Sequence, residues 1–266
     1  MFCSRGGFVL SKVDNQIVIQ GRMSSTRLPG KTLMNLAGRP VIEHVVRRCR
    51  AALTVDRVVV ALPDAAVDDS LYQWCVANEV PCVRGSTEDV LSRYIKALDV
   101  FPCRTLVRIT ADCPLVDPGL IDSLLFLHET MGNDYTSNVG PPDFPKGFDI
   151  EVVSADVLRR VDAIARSQPH REHVTLYIRE RASEFRSGSM AFGLEMSDVR
   201  LTLDRPEDYQ ALQKIFDGLV SRQPLCSMYE ILAYLHEHPE ILAVNSAGVP
   251  YRLPAGLRGG NEMLCR

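Results

Sequence analysis

The sequence predicts an α/β fold built on a mostly parallel central sheet with helices on both faces. Three observations lead there. Short β-branched runs alternate with longer stretches of helical period, helix-start signals fall between them, and 266 residues suffice for one sizeable core. The expected strands lie at 17–20, 58–62, 81–83, 105–110, 150–153 and 200–203. Over 40–53, Val41, Ile42, Val45, Val46, Cys49 and Leu53 share one helical face, and Val90, Leu91, Tyr94, Ile95 and Leu98 do so over 89–98. Asp117 before Pro118 is an N-cap and first-turn pair for a helix carrying Leu120, Ile121, Leu124 and Leu125. Another helix starts near Pro206, with Tyr209, Leu212, Ile215, Phe216 and Leu219 inward, and a last one covers 228–236. The stretch 133–147, rich in Gly, Pro, Asn and Asp, reads as a long loop or excursion. Residues 1–15 are expected to be a flexible tail, 16–245 the folded domain and 246–266 a C-terminal tail. In such sheets ligands sit beyond the carboxyl ends of the strands.

Composition narrows the function. A hydrophobic content of 46% and a charged content of 24% are ordinary for a globular chain, and a net charge of -3 argues against a nucleic-acid or membrane-surface partner. Any anion must be held by a local cluster of cations. The 8 cysteines are scattered without a C-x-x-C pair, which suits free thiols in a reducing cytosol. Residues 1–15 lack the apolar stretch of a secretion signal, and there is no apolar run of about 18 residues. The expectation is a cytoplasmic protein.

The strongest chemical signal is a basic loop. From Gln20 through Arg39 there is no acidic residue, but there are Arg22, Arg27, Lys31 and Arg39. Gly21 and Gly30 permit close backbone approach, and Ser24, Ser25 and Thr26 add donors. A triphosphate carries about four negative charges, and cations combined with exposed N–H groups answer it. A solvated basic turn is the plainer alternative. The run Ser25-Thr-Arg-Leu-Pro-Gly-Lys-Thr comes close to a P-loop, but Ser25 stands where the first glycine belongs and Pro29 has no N–H. A P-loop also opens directly into a helix, whereas Gly38 and Pro40 intervene here before the helical period begins. No G-x-G-x-x-G follows a strand, and His170 and His173 do not form H-E-x-x-H, so neither a dinucleotide nor a zinc site is expected.

The string Gln-Gly-Arg-Met-Ser-Ser-Thr-Arg-Leu-Pro-Gly-Lys at 20–31 resembles the opening motif of the cytidylyltransferases that make CMP-activated sugars. It is most similar to their spore-coat-polysaccharide (SpsF-like) branch, related to the CMP-ulosonate and CMP-sialate synthetases. The resemblance continues through Arg-Gly-Ser-Thr-Glu-Asp-Val-Leu-Ser-Arg-Tyr at 84–94 and Arg-Ile-Thr-Ala-Asp-Cys-Pro-Leu-Val-Asp at 108–117. It ends with Arg-Glu-His-Val-Thr at 171–175 and Leu-Asp-Arg-Pro-Glu-Asp at 203–208, and covers 16–245. Gln20-Gly21 departs from the proline and alanine common in the ulosonate branch and is closer to the Gln-Ala of the spore-coat branch. The fold implied is a Rossmann-like three-layer sandwich of the nucleotide-diphospho-sugar transferase type.

The resemblance implies attack by an acceptor oxygen on the α-phosphorus of CTP, with release of pyrophosphate and formation of a CMP-linked product. Arg22, Lys31 and Asp112 would carry the chemistry. Gln20, Gly21, Arg22, Ser25, Arg27, Lys31, Arg84, Ser86, Asp89 and Thr110 would hold the nucleotide. Mg²⁺ would be bound by Asp112 and Asp204, one or two carboxylates plus phosphate oxygens being what that ion prefers. Asp204 also reads as a helix-entry residue before Pro206, and Glu88 and Asp89 as complements to a helix dipole. Asn138, Asp149, Glu151, Arg171, Glu172 and His173 would meet a small-molecule acceptor, with Arg171 clamping a carboxylate or phosphonate and Glu172 or His173 assisting deprotonation. The same residues also fit a solvated face beside a dimer contact. The acceptor is an acidic sugar by closest resemblance, with a phosphonate or sugar phosphate as the alternative. The family further implies a homodimer, with 133–153 as an excursion for acceptor binding or dimerisation. A P-loop-type kinase and a non-catalytic binding module are the competing classes.

Overall fold

A computed structural model describes residues 13–140, 143–193, 196 and 198–245. The first strand, β1 (Val13–Gln20), buries Ile17, Val18 and Ile19 completely, as a central strand covered on both faces must. A small antiparallel pair, β2 (Asn35–Leu36) and β3 (Arg39–Pro40), precedes helix α1 (Val41–Arg50). The chain then runs through β4 (Arg57–Pro63), α2 (Asp69–Ala77), β5 (Cys82–Gly85), α3 (Val90–Val100), β6 (Cys103–Thr110) and α4 (Pro118–Met131). After these come β7 (Tyr135–Ser137), β8 (Glu151–Ser154), α5 (Ala155–Ile164), α6 (Gln168–Glu172), α7 (Leu176–Glu180) and β9 (Ser187–Ser189). Helices α8 (Pro206–Ile215), α9 (Met228–Glu237) and α10 (Pro239–Ala243) complete the order.

Among the described residues seven strands form one sheet in the order β5-β4-β1-β6-β8-β7-β9, and of these β8 alone runs against the rest. The period-2 alternation of strands divides the core. Ile17 and Ile19 face α1, α2 and α4, while Val18 faces the layer of α3 and α5. A third cluster gathers α8, α9 and α10 around Leu203, Phe144, Phe148 and Leu115. Asp117 ties this last unit to the sheet: one carboxylate oxygen caps α4 through Gly119 N at 2.7 Å, and the other accepts from Met228 N at 2.6 Å. This is the expected α/β sandwich with its mostly parallel sheet.

The details differ from the sequence reading in four places, the first being Leu53, which lies past the end of α1 and is 92% exposed instead of sharing its buried face. The segment 200–203 is not a strand; Arg200 makes one bridge to Lys146, after which Leu201 and Leu203 turn into the C-terminal cluster. Its backbone bonds go to Lys146 O and Asp112 O, at 2.7 and 2.8 Å, rather than to a ladder. Within 133–147, Tyr135–Ser137 is a sheet strand, so the irregular connection shortens to 138–150. β1 begins at Val13, inside the expected N-terminal tail; residues 1–12 and the tail 246–266 lie outside the described residues, as do Cys3 and Cys265. The other six cysteines are free thiols. Among the described residues no helix is long and apolar enough to cross a membrane.

Candidate nucleotide site

The parallel strands end along one edge of the sheet. The chain winds from β1 outward to β4 and β5, then crosses to β6 on the other side of β1, so the winding direction changes between β1 and β6. Such a switch point opens a crevice. Gly21, just past β1, bonds to Ala61 O at 3.2 Å, and a Cβ on it would lie 3.3 Å from the Ala111 Cβ. The absence of a side chain there lets the ends of β1, β4 and β6 meet closely.

The crevice is a cavity of about 500 Å³. One wall is the basic loop, which is folded back on itself. Met23 O accepts from Ser25 N and Gly30 N, each at 3.0 Å, and Thr32 Oγ1 donates to Arg22 O at 2.8 Å. The buried carboxylate of Asp68 holds Met23 N at 2.6 Å. Gly30, at φ 73°, takes the left-handed turn that starts a single helical turn, Lys31–Leu33. The β2–β3 hairpin then separates this turn from α1, so the loop does not open into a long helix as a P-loop does.

Lys31 is the centre of the wall. Its ammonium donates to Asp112 Oδ2 at 2.9 Å, Asp204 Oδ1 at 2.9 Å and Leu203 O at 2.7 Å. The three residues are far apart in sequence: Asp112 follows β6, and Asp204 follows the segment that bonds back to Asp112 O. Burial alone would weaken the Lys31 charge, but Asp112 and Asp204 outweigh it and the pKa rises. Asp204 moves the other way. Burial opposes its charge, yet Lys31, Arg27 and Arg200 together hold it below the usual carboxylate value. Arg27 reaches it at 2.8 Å. Thr110 Oγ1 donates to the other oxygen of Asp112 at 2.5 Å. Two carboxylates therefore converge on one cation position.

Opposite the loop, Arg108 on β6 pairs with Glu151, its cross-strand neighbour on β8. Tyr135 donates to Glu151 Oε1 at 2.7 Å, and Thr175 donates to the same oxygen. Burial resists ionisation of Glu151, but Arg108 and these donors depress its pKa. Arg108 also reaches Gln20 Oε1 at 3.3 Å.

Eleven of the residues singled out from the sequence line this cavity: Gln20, Gly21, Arg22, Ser25, Arg27, Lys31, Thr110, Asp112, Glu172, His173 and Asp204. Seven do not, and their side chains have structural partners. Arg84 turns to Asp64 and Asp69, at 3.2 and 2.7 Å, and covers Tyr72. Ser86 Oγ accepts from Asp89 N, and Asp89 caps α3 through Ser92 N at 3.0 Å. Arg171 forks onto Asp89 at 2.9 and 2.7 Å and reaches Asp162 at 2.8 Å, so the cation expected to clamp an acceptor is a strut between α3, α5 and α6. Asn138 bridges Phe148 O and Ile150 N, at 2.7 and 2.8 Å. Asp149 accepts from Gly147 N at 3.4 Å, and burial, with Glu151 and Asp112 nearby, raises its pKa. Glu151 is held by Arg108 as described. The sequence reading did not place Thr32, Thr87, Glu88, Arg93 or Arg108 at the site. Arg108 carries one signal that could have found it, a charge inside the otherwise uncharged run 105–110.

The chain resembles known proteins over most of its length. The cytidylyltransferase family matches residues 16–241. The spore coat polysaccharide biosynthesis protein SpsF of Bacillus subtilis is 33% identical over 234 residues, spanning 85% of this chain and 96% of that one. A solved cytidylyltransferase from Leptospira borgpetersenii superposes with a TM-score of 0.81 at 29% identity, covering 86% of this chain and 97% of its own. The structure of a CMP:2-keto-3-deoxy-manno-octonic acid synthetase complexed with CTP shares the fold, with a TM-score of 0.58 at 18% identity over 77% of this chain and 98% of its own.

Proposed function

The chain belongs to the cytidylyltransferase family, and from that premise we propose that it couples CTP to an acidic sugar, releasing pyrophosphate and giving a CMP-linked product. The observation that carries the reading is the Lys31 ammonium held between Asp112 and Asp204 at the end of a basic loop, beside a cavity of about 500 Å³. In the reaction an acceptor oxygen forms a bond to the α-phosphorus as the bond to the β-phosphate oxygen breaks, and the electron pair leaves with pyrophosphate. Such a transfer needs positioning and charge neutralisation above all. Arg22, Arg27 and Lys31 supply the charge, and Gln20, Gly21, Ser25 and Thr110 surround the nucleotide. Glu172 and His173 line the same cavity, and in this reading one of them takes the acceptor proton.

The donor set suits magnesium. Asp112 and Asp204 offer only oxygen, they already converge on a cation, and among the described residues no third His, Cys, Asp or Glu completes a cluster. Mg²⁺ held there would keep water and phosphate oxygens as its remaining ligands and offset charge on the departing phosphates. The name of the Bacillus relative supports a role in polysaccharide biosynthesis. The reading includes a cytoplasmic homodimer contacting through 133–153 and a single nucleotidyltransferase domain over 16–245.

A phosphonate or sugar phosphate is the second acceptor class: Arg171, the expected clamp for a carboxylate or a phosphonate, is already held by Asp89 and Asp162 and so gives neither acceptor an advantage. A pyrophosphate-release assay with Mg²⁺, the four nucleoside triphosphates and a panel of ulosonic acids, amino sugars, phosphonates and sugar phosphates tests the proposal. CTP with one acceptor class should release pyrophosphate, and Asp112→Asn should abolish it. Preference for another nucleotide would remove the base assignment, and release of a nucleoside diphosphate instead would remove the reaction.

A further inference from the structure

Most cations of the cavity already have an anionic partner. Lys31 and Arg27 hold aspartates, and Arg108 holds Glu151. Arg93, on the inward face of α3, is different. It is 1% exposed and lines the cavity, yet among the described residues it makes no ion pair. One nitrogen donates to Ser86 O at 3.1 Å, and its buried Nε has no partner. The acid nearest in effect is Asp68, which acts on it only through space; one Asp68 oxygen holds Met23 N and the other is itself buried without a partner.

A guanidinium presents five donors, and burying it without a counter-charge is unfavourable unless something supplies the missing acceptors. Burial weakens the Arg93 charge, and Arg22, across the same cavity, pushes in the same direction. Arg22 likewise has no ion-pair partner among the described residues. The cavity thus contains two arginines that repel each other and are not ion-paired among the described residues, with Asp68 and Asp89 acting on Arg93 only at a distance. The fold also makes room for this arrangement. The Arg93 stem lies against Gly85, where a Cβ would come within 3.0 Å of the Arg93 Cγ.

The geometry points to Arg93 as a nucleotide-contacting residue that, together with Arg22, grips a phosphate of the incoming triphosphate. The inference rests on the reading of this cavity as a CTP site. A phosphate oxygen between the two guanidinium groups satisfies the vacant Arg93 donors and converts the repulsion into a shared attraction. Arg27 and Lys31, already neutralised by aspartates, are left for the end of the chain where metal and pyrophosphate meet.

The test measures equilibrium binding of CTP, inorganic pyrophosphate and cytidine, each with Mg²⁺, to the wild type, Arg93→Met, Arg93→Lys and Gly85→Ala. Arg93→Met should weaken CTP and pyrophosphate by about tenfold or more, the loss of a charge-assisted contact, and leave cytidine unchanged. Arg93→Lys should recover part of the CTP affinity, and Gly85→Ala should lose part of it by displacing the stem. Without ligand, Arg93→Met should melt no lower than the wild type, since a buried unpaired charge has been removed. Equal losses for cytidine and CTP, or undiminished CTP binding in Arg93→Met, would overturn the assignment. A wild type that binds no CTP would instead sink the nucleotide reading itself.

Discussion

Replacing Lys31 with methionine tests the centre of the site directly. The two aspartate oxygens each lie 2.9 Å from one nitrogen. They can therefore be no more than about 6 Å apart, and like charges at that separation repel by about 3 kcal/mol at an effective dielectric near 20. Removing one partner of a largely buried ion pair costs about 3–5 kcal/mol by general experience, and Arg27 and Arg200 remain to soften the effect at Asp204. A loss of about 3 kcal/mol is expected, which lowers the melting temperature of a domain this size by roughly 6–12 °C. The vacated position between two carboxylates should then attract a divalent cation more strongly than the wild type does. Saturating Mg²⁺, at about a hundred times its dissociation constant, would return about 2.7 kcal/mol. Thermal unfolding of both proteins, with and without Mg²⁺, reads both effects. If Lys31→Met melted like the wild type in chelator, or gained no more from Mg²⁺, the convergence of charge on this point would not be what organises the site.

Three other substitutions probe the scaffold. Arg48 is 2% exposed and donates to the carbonyls of Val116, Pro224 and Cys226; Arg48→Lys leaves at least one buried carbonyl unpaired and should cost about 2–4 kcal/mol in denaturant titration. Gly147 has φ 110° and its Cβ would lie 2.6 Å from the Leu201 carbonyl carbon, so Gly147→Ala should destabilise by about 3 kcal/mol or more, and a neutral result would refute the close approach. Glu151 has a pKa below its ordinary 4.5, so the stability it contributes is present above that value and lost as pH falls toward the depressed one. Unfolding measured across this acid window should fall less steeply in Glu151→Gln, which starts about 3 kcal/mol less stable at neutral pH because Arg108 is left unpaired.

Much of the architecture was legible because local pattern and global fold agree. The β-branched runs, the Asp117-Pro118 start and the apolar stripe of α1 each give one answer. The segment 200–203 misled because Leu201 and Leu203 alternate as in a strand while being buried by helices rather than by sheet neighbours. The loop from Gln20 to Lys31 announced its charge within a dozen residues. Its partners did not, since Asp112 and Asp204 lie 81 and 173 residues beyond Lys31 and only the fold brings them together. Arg84, Ser86 and Asp89 look like ligand residues in the string 84–94, but the strand end and helix cap use their polar atoms. Arg93, in the same string, looks like an ordinary helix charge until its burial is known.

The lone reversed strand, β8, has a consequence for how such a molecule could diversify. Because β7 leads toward the nucleotide edge and β8 leads away from it, the connection 138–150 has both its roots on that edge, opposite the basic loop. Phe144 and Phe148 anchor the segment in the third core cluster and Gly147 packs against Leu201, so change that respects these anchors leaves the register of β5, β4, β1 and β6 alone. The half of the molecule that carries the basic loop and the half facing it can thus change separately. New chemistry on the second can be tried while the first is left alone.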